Sequence, residues 1–271
     1  MKTFHILQLA GYGDTLSAIT RLPALREKYP DYKIKFWLGG FGKSPIFSKE
    51  QLEREGCEAA LIKNLTFHNQ LPQMRDFITG KMVKDGDKFE DWSFCEEIFD
   101  NRKPIFSQYE MQFPYEYKVS EPSAELKTLI NNIKDRKGVA LHALTKEGNA
   151  EGHQSDIDNG RFWKKEFWEE TCELLNENGY TPTFVGIKDE DWGLREYCDK
   201  RDIEYIDAMN YSVEETISLL KNVVGCIACN SWDWEITSRL NIPTIVFYTK
   251  NHFLFRTMHH NLIIHFGIRA I

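Results

Sequence analysis

At 271 residues with 42% hydrophobic content, the chain is long enough for two domains of modest size, each with its own core. A formal net charge of −7 argues against a general binder of nucleic acid or anionic membrane, because such binders rely on clustered positive charge, though it leaves room for a local basic groove. No apolar run approaches the ~20 residues that span a bilayer, the start MKTFHILQLAGYGD is short and quickly polar for a secretory signal, and six scattered cysteines make no disulfide framework, so a cytoplasmic location is expected.

Phe4 to Leu9 reads as a strand, followed by Gly11-Tyr12-Gly13-Asp14 and a helix from Thr15 to about Lys28. The glycines let backbone approach whatever lies above the strand end, and Asp14 falls at the helix start, as an N-cap or as a carboxylate able to act as a base. The third glycine of the dinucleotide fingerprint is missing. Ile34 to Leu38 is a second strand, Ser44 to Glu55 a helix and Ala59 to Ile62 a third strand, an alternation that implies a parallel sheet. From Asn64 to Val119 the period weakens and aromatics crowd in, read as packing under irregular loops.

Ser120 to Ser123 is a connection with a helix start, and the domain change is placed there: 1–122 and 123–271. A helix from Ala124 to Lys134 leads into the strand Gly138 to His142. A polar loop runs to Gly160, and Arg161-Phe162-Trp163 precedes the amphipathic helix Lys165 to Asn176, with Trp168, Cys172 and Leu175 on its apolar face. Next come strand Thr181 to Ile187, helix Leu194 to Lys200, strand Ile203 to Ile206 and helix Val213 to Lys221. The most informative stretch follows, strand Val223 to Ala228, helix Trp232 to Leu240 closed by Asn241, and strand Thr244 to Tyr248. Helix N-termini beyond strand ends attract anions, so Cys229 to Trp232 is a candidate diphosphate seat. Asp156-Ile157-Asp158 and Asp189-Glu190-Asp191 are read as solvated loop charge, Cys226 and Cys229 as buried thiols, and the C-terminal histidines as incidental.

Three segments together resemble glycosyltransferase family 9, the ADP-heptose:lipopolysaccharide heptosyltransferases. Gly13-Asp14-Thr15-Leu16 with Leu22-Pro23-Ala24-Leu25 is similar to the family's N-terminal signature. Leu141 to Lys146 with Arg161-Phe162-Trp163 is similar to its strand, Thr-rich loop and helix start, and Asn230 to Glu235 with the following Pro243-Thr244 to its third motif. There Asn230, Trp232 and Glu235 replace the family's Asp, Gly and His, and Arg161 replaces a Lys. The resemblance implies an α/β GT-B fold, two Rossmann-like domains with parallel sheets facing a central cleft, the first acceptor-side and the second nucleotide-sugar-binding.

It further implies an inverting glycosyltransferase without an obligatory metal or other cofactor, moving a sugar from a nucleotide diphosphate donor to an acceptor hydroxyl. Asp14 is then the base, with Gly11, Tyr12 and Gly13 as an acceptor-side loop. Lys146 and Arg161, helped by Thr145 and the N–H groups after Ser231, stabilise the leaving diphosphate. Glu235 serves donor hydroxyls, Gly186 and Ile187 wall the base pocket, and Asn230 and Trp232 complete the donor side. The acceptor, whether glycan, lipid-linked or modified nucleic acid, is open. Rival readings are an epimerase or hydrolase of the nucleotide sugar, an inactive GT-B binding protein, and a sugar transferase acting on nucleic acid.

Overall fold

The computed structural model describes residues 2–9, 11–40, 44–62, 71–92, 109–144, 164–187, 190–229 and 232–246. The chain divides into two compact units, Met1–Lys118 and Val119–Ile271. Each is built on one parallel sheet.

In the first unit the elements are β1 (Lys2–Leu9), α1 (Tyr12–Ile19), α2 (Leu22–Lys28), β2 (Tyr32–Gly39), α3 (Ser44–Arg54), β3 (Glu58–Leu61), α4 (Leu71–Lys81) and β4 (Lys88–Asp91). The sheet order is β3-β2-β1-β4, and in register Ile6 of β1 lies opposite Phe36 and Glu90. Central β1 is buried on both faces, with Phe4, Ile6 and Leu7 beside the buried His5 and Gln8, as a covered parallel strand requires.

The single helix expected over 15–28 is two. α1 starts earlier, at Tyr12, and stops at Ile19, and α2 begins at Leu22 with Pro23 in its first turn. Proline has no N–H to give to the carbonyl four residues back and its ring crowds that carbonyl, so a continuous helix is broken there. Thr20 Oγ1 donates to Ser17 O at 2.8 Å and Arg21 N to Ala18 O at 3.0 Å, which closes the first helix. α4 and β4 were absent from the expectations for 64–119. β4 reads Lys-Phe-Glu-Asp and is an edge strand with no fully buried residue, so it lacks the apolar signal of its neighbours. Trp92, Tyr109, Tyr115 and Tyr117 are buried, in line with a packing role for those aromatics.

The second unit comprises α5 (Ala124–Asp135), β5 (Gly138–His142), α6 (Lys165–Glu177), β6 (Thr181–Gly186), α7 (Leu194–Lys200), β7 (Ile206–Met209), α8 (Val213–Leu220), β8 (Gly225–Ala228), α9 (Trp232–Arg239) and β9 (Thr244–Val246). Its order is β7-β6-β5-β8-β9. Trp168, Cys172, Leu194 and Cys198 from α6 and α7 pack on Val139, Leu141 and Phe184 of β5 and β6. α5, α8 and α9 form a second packed set. Cys226 and Cys229 are buried, as expected.

The strand expected at 203–206 lies instead at Ile206–Met209. Asp202 is left-handed at φ 53° and Ile203 N donates to Cys198 O at 3.0 Å, so residues up to 203 are spent on ending α7. Asn241, also left-handed at φ 63°, closes α9 as read from the sequence.

Candidate functional site

The order β7-β6-β5-β8-β9 means that the chain winds outward from β5 to β6 and β7, then returns to add β8 and β9 on the other side. Connections leaving β5 and β8 therefore diverge, and the crevice they leave at the carboxyl ends of the strands is where such sheets bind ligands. His142, the last residue of β5, stands at that edge and is only 2% exposed.

Three carboxyl-end segments meet on this imidazole. Its Nδ1 lies 2.7 Å from Asp233 Oδ1, in the first turn of α9, and its Nε2 lies 3.3 Å from Glu190 Oε2, in the turn after β6. The same Glu190 oxygen accepts the Ile187 N–H at 2.7 Å. Backbone bonds repeat the linkage: Cys229 N donates to His142 O at 3.0 Å, Leu144 N to Glu190 O at 3.2 Å, and Asn210 N to Gly186 O at 2.8 Å. Asp233 is fully buried, and its second oxygen, Oδ2, has no hydrogen-bond partner among the described residues.

Burial by itself pulls an imidazole toward the neutral form. The Asp233 charge and hydrogen bond, followed by those of Glu190, outweigh that and hold His142 up at about 10. At neutral pH the ring is thus an imidazolium that faces Asp233 and Glu190.

Gly186 ends β6 at φ 120°, a conformation side chains rarely adopt. A Cβ there would stand 2.7 Å from Glu190 Oε2 and 3.1 Å from His142 Nε2. The glycine is required by the carboxylate and imidazole packed against it. Ile187, 47% exposed, follows at the strand end. Glu190 and Asp191 are 8% and 5% exposed, which corrects the reading of them as solvated charge. Glu190 turns inward to His142, and Asp191 is held by Arg195 Nε at 2.9 Å.

In the first unit, Gly11 caps α1 from an extended conformation, and Tyr12 and Gly13 are the first helical residues. Asp14 is the third residue of α1 and not its cap. Its carboxylate folds back over Gly11, since a Cβ on that glycine would meet Asp14 Oδ2 at 2.7 Å. Asp14 is half-buried at the carboxyl end of β1, a position from which a carboxylate can take a proton from a hydroxyl. Thr15 Oγ1 and Ser48 Oγ, 2.6 Å apart and buried, fix α1 to α3, and the Tyr12 ring meets Phe47 edge-on at 5.2 Å.

Thr145, Lys146, Arg161, Asn230 and Ser231 lie outside the described residues, as do Asp156, Asp158, Asp189 and the C-terminal histidines. Trp232 and Glu235 are placed in α9 by their backbone alone. Sequence reasoning missed His142, Glu190 and Asp233 as one group. The available signal was an ionisable residue closing a wholly apolar run, Gly-Val-Ala-Leu-His. Among the described residues, no group of three or more His, Cys, Asp or Glu is set to hold a metal ion, and no helix is long and apolar enough to cross a membrane.

No family model matches the chain, and no curated protein matches it. Solved structures do. A glycosyl transferase of family 9 from Veillonella parvula DSM 2008 superposes with TM-score 0.66 at 11% identity, over 97% of this chain and 86% of that one. The E. coli ADP-heptose lps heptosyltransferase II gives 0.57 at 14% identity, over 92% and 85%. The E. coli heptosyltransferase WaaC with ADP-2-deoxy-2-fluoro heptose gives 0.52 at 13%, over 91% and 88%. At such identities the likeness establishes architecture: the chain has the GT-B fold, built from two Rossmann-like α/β units.

Proposed function

We propose that the chain is a glycosyltransferase that moves a sugar from a nucleotide diphosphate donor to an acceptor hydroxyl, with inversion and without an obligatory metal. The observation that carries this reading is the convergence of β5, the β6 turn and the start of α9 at the switch point of the second sheet, where doubly wound folds seat nucleotides. It is supported by the likeness to WaaC, whose solved form holds a nucleotide sugar analogue. The second unit then binds the donor, with Gly186 and Ile187 beside the base and Asn230, Ser231, Trp232 and Glu235 near the sugar and diphosphate.

Inversion by a single displacement needs a base on the acceptor hydroxyl and positive charge on the departing diphosphate. Asp14 takes the proton, its carboxylate folded over Gly11 in the first turn of α1. Lys146 and Arg161, with Thr145, take the leaving-group charge. Asp14→Asn keeps the shape and removes the base, so transfer from a nucleotide sugar is expected to fall by about 10²–10⁴-fold, with donor affinity little changed. Turnover of the variant equal to the native chain would remove Asp14 from the mechanism. A thermal-shift screen of ADP- and UDP-sugars, read beside release of free nucleotide, tests the class: binding without release for every acceptor tried would make the chain a binding protein.

A further inference from the structure

Asp233 brings a carboxylate to the first turn of α9, the end of a helix where partial positive charge would otherwise be offered to a phosphate. Glu190 brings a second to the same strand edge. Two buried negative charges there oppose the binding of a diphosphate, and the one cation among the described residues in contact with both is His142.

With both carboxyls ionised, the ring geometry favours one protonation state of that histidine. Each of its nitrogens faces a carboxylate oxygen, at 2.7 and 3.3 Å. A neutral imidazole has one N–H, so its other nitrogen would point a lone pair at a carboxylate. Only the doubly protonated ring donates to both. Glu190 in turn receives the Ile187 N–H through the oxygen that faces His142, so the turn after β6 is held through the same contact.

We propose that His142 is a positioning residue for the donor nucleotide: as an imidazolium it ties the turn after β6 and the first turn of α9 to the end of β5 and cancels one of the two negative charges beneath the diphosphate. The part concerning the nucleotide rests on the function proposed above; the ring's protonation does not. The charged groups facing His142 from the elements packed on it are Glu190 from the β6 turn and Asp233 from α9. The Cys226 thiol of β8 lies near Asp233 and is itself pushed up by burial, so it stays neutral.

The informative variant is Glu190→Gln, which keeps an oxygen for the Ile187 N–H but removes the negative charge facing Nε2, so the second proton of the ring is less favoured. Nitrogen-15 NMR of the histidine rings should show His142 in the native chain with two N–H groups at pH 8 and deprotonation near pH 10, and in Glu190→Gln a midpoint lower by at least one pH unit. A single N–H at pH 8, or a native midpoint near 6.5, would overturn the imidazolium. In parallel, titrations with ADP and UDP at pH 7 to 9.5 should give constant affinity in the native chain. In Glu190→Gln, affinity should drop about tenfold as the ring loses its proton. Affinity that ignores the variant's ring titration would overturn the positioning role. A native chain that binds neither nucleotide at any pH, with the ring spectrum as expected, would overturn the proposed function and with it the role toward the donor, leaving the ring assignment standing.

Discussion

Gly186 combines two constraints, a positive φ of 120° and no room for a methyl group. Gly179 has the first alone: its φ is 75°, but nothing lies within 4 Å of an added Cβ. Gly179→Ala should therefore cost about 1 kcal/mol, the strain of a left-handed residue. Gly186→Ala should cost about 3 kcal/mol or more, because Glu190 and His142 must move apart as well. Denaturant unfolding of the two variants side by side measures the difference; equal losses would mean that the cluster gives way freely. This contrast also marks the limit of what the residues disclosed beforehand. The resemblance implies Gly186 and Ile187 as the wall of the base pocket, and the strand ending there was legible beforehand. Glu190, in a run of three acids, has the composition of a solvated turn, and only the path of the chain after β6 turns it inward. Asp233 was hidden similarly, between two tryptophans in a helix whose first residues were read for their N–H groups.

Elements with a local cause were the legible ones. α8 begins with Ser212 and has Glu215 three residues on, and both halves of the capping box form: Glu215 N donates to Ser212 Oγ at 3.3 Å, and Ser212 N to Glu215 Oε2 at 2.9 Å. Ser212→Ala should cost about 1 kcal/mol, and adding Glu215→Ala should cost less than that variant alone costs, because the box is reciprocal. A double-mutant cycle by urea unfolding reads the coupling, and strict additivity would show the two bonds to be independent. β5 was similarly visible, since a run buried on both faces leaves a continuous hydrophobic signal, while β1 and β6 carried theirs in Phe4, Ile6 and Leu7 and in Phe184 and Val185 among buried polar residues. β4 left none, because its pairing with β1 is made by backbone groups and its side chains are partly exposed. The break between α1 and α2 had a visible cause in Pro23, which a purely periodic reading passed over.

For the molecule as a whole, the buried imidazolium sets an alkaline limit on the stability of the second unit. In the unfolded chain His142 titrates near the ordinary value of 6.5, and in the folded chain near 10. Below pH 6.5 both states hold the proton and the His142 contribution is complete. Between 6.5 and 10 the folded state holds a proton that the unfolded state has lost, so unfolding free energy falls as pH rises, by about 1.4 kcal/mol per pH unit at most. Above 10 the contribution is gone. Lysines and tyrosines also titrate toward the upper end of this window, so the measurable quantity is the native chain minus His142→Gln. Hydrogen exchange at amides of β5 and β8, corrected for intrinsic rates, should show protection in the native chain declining from pH 7 to 9.5, with His142→Gln starting lower and declining much less. Parallel slopes in the two proteins would show that the proton is not bound at His142, and that the two carboxylates beneath the strand ends are held by something other than its charge.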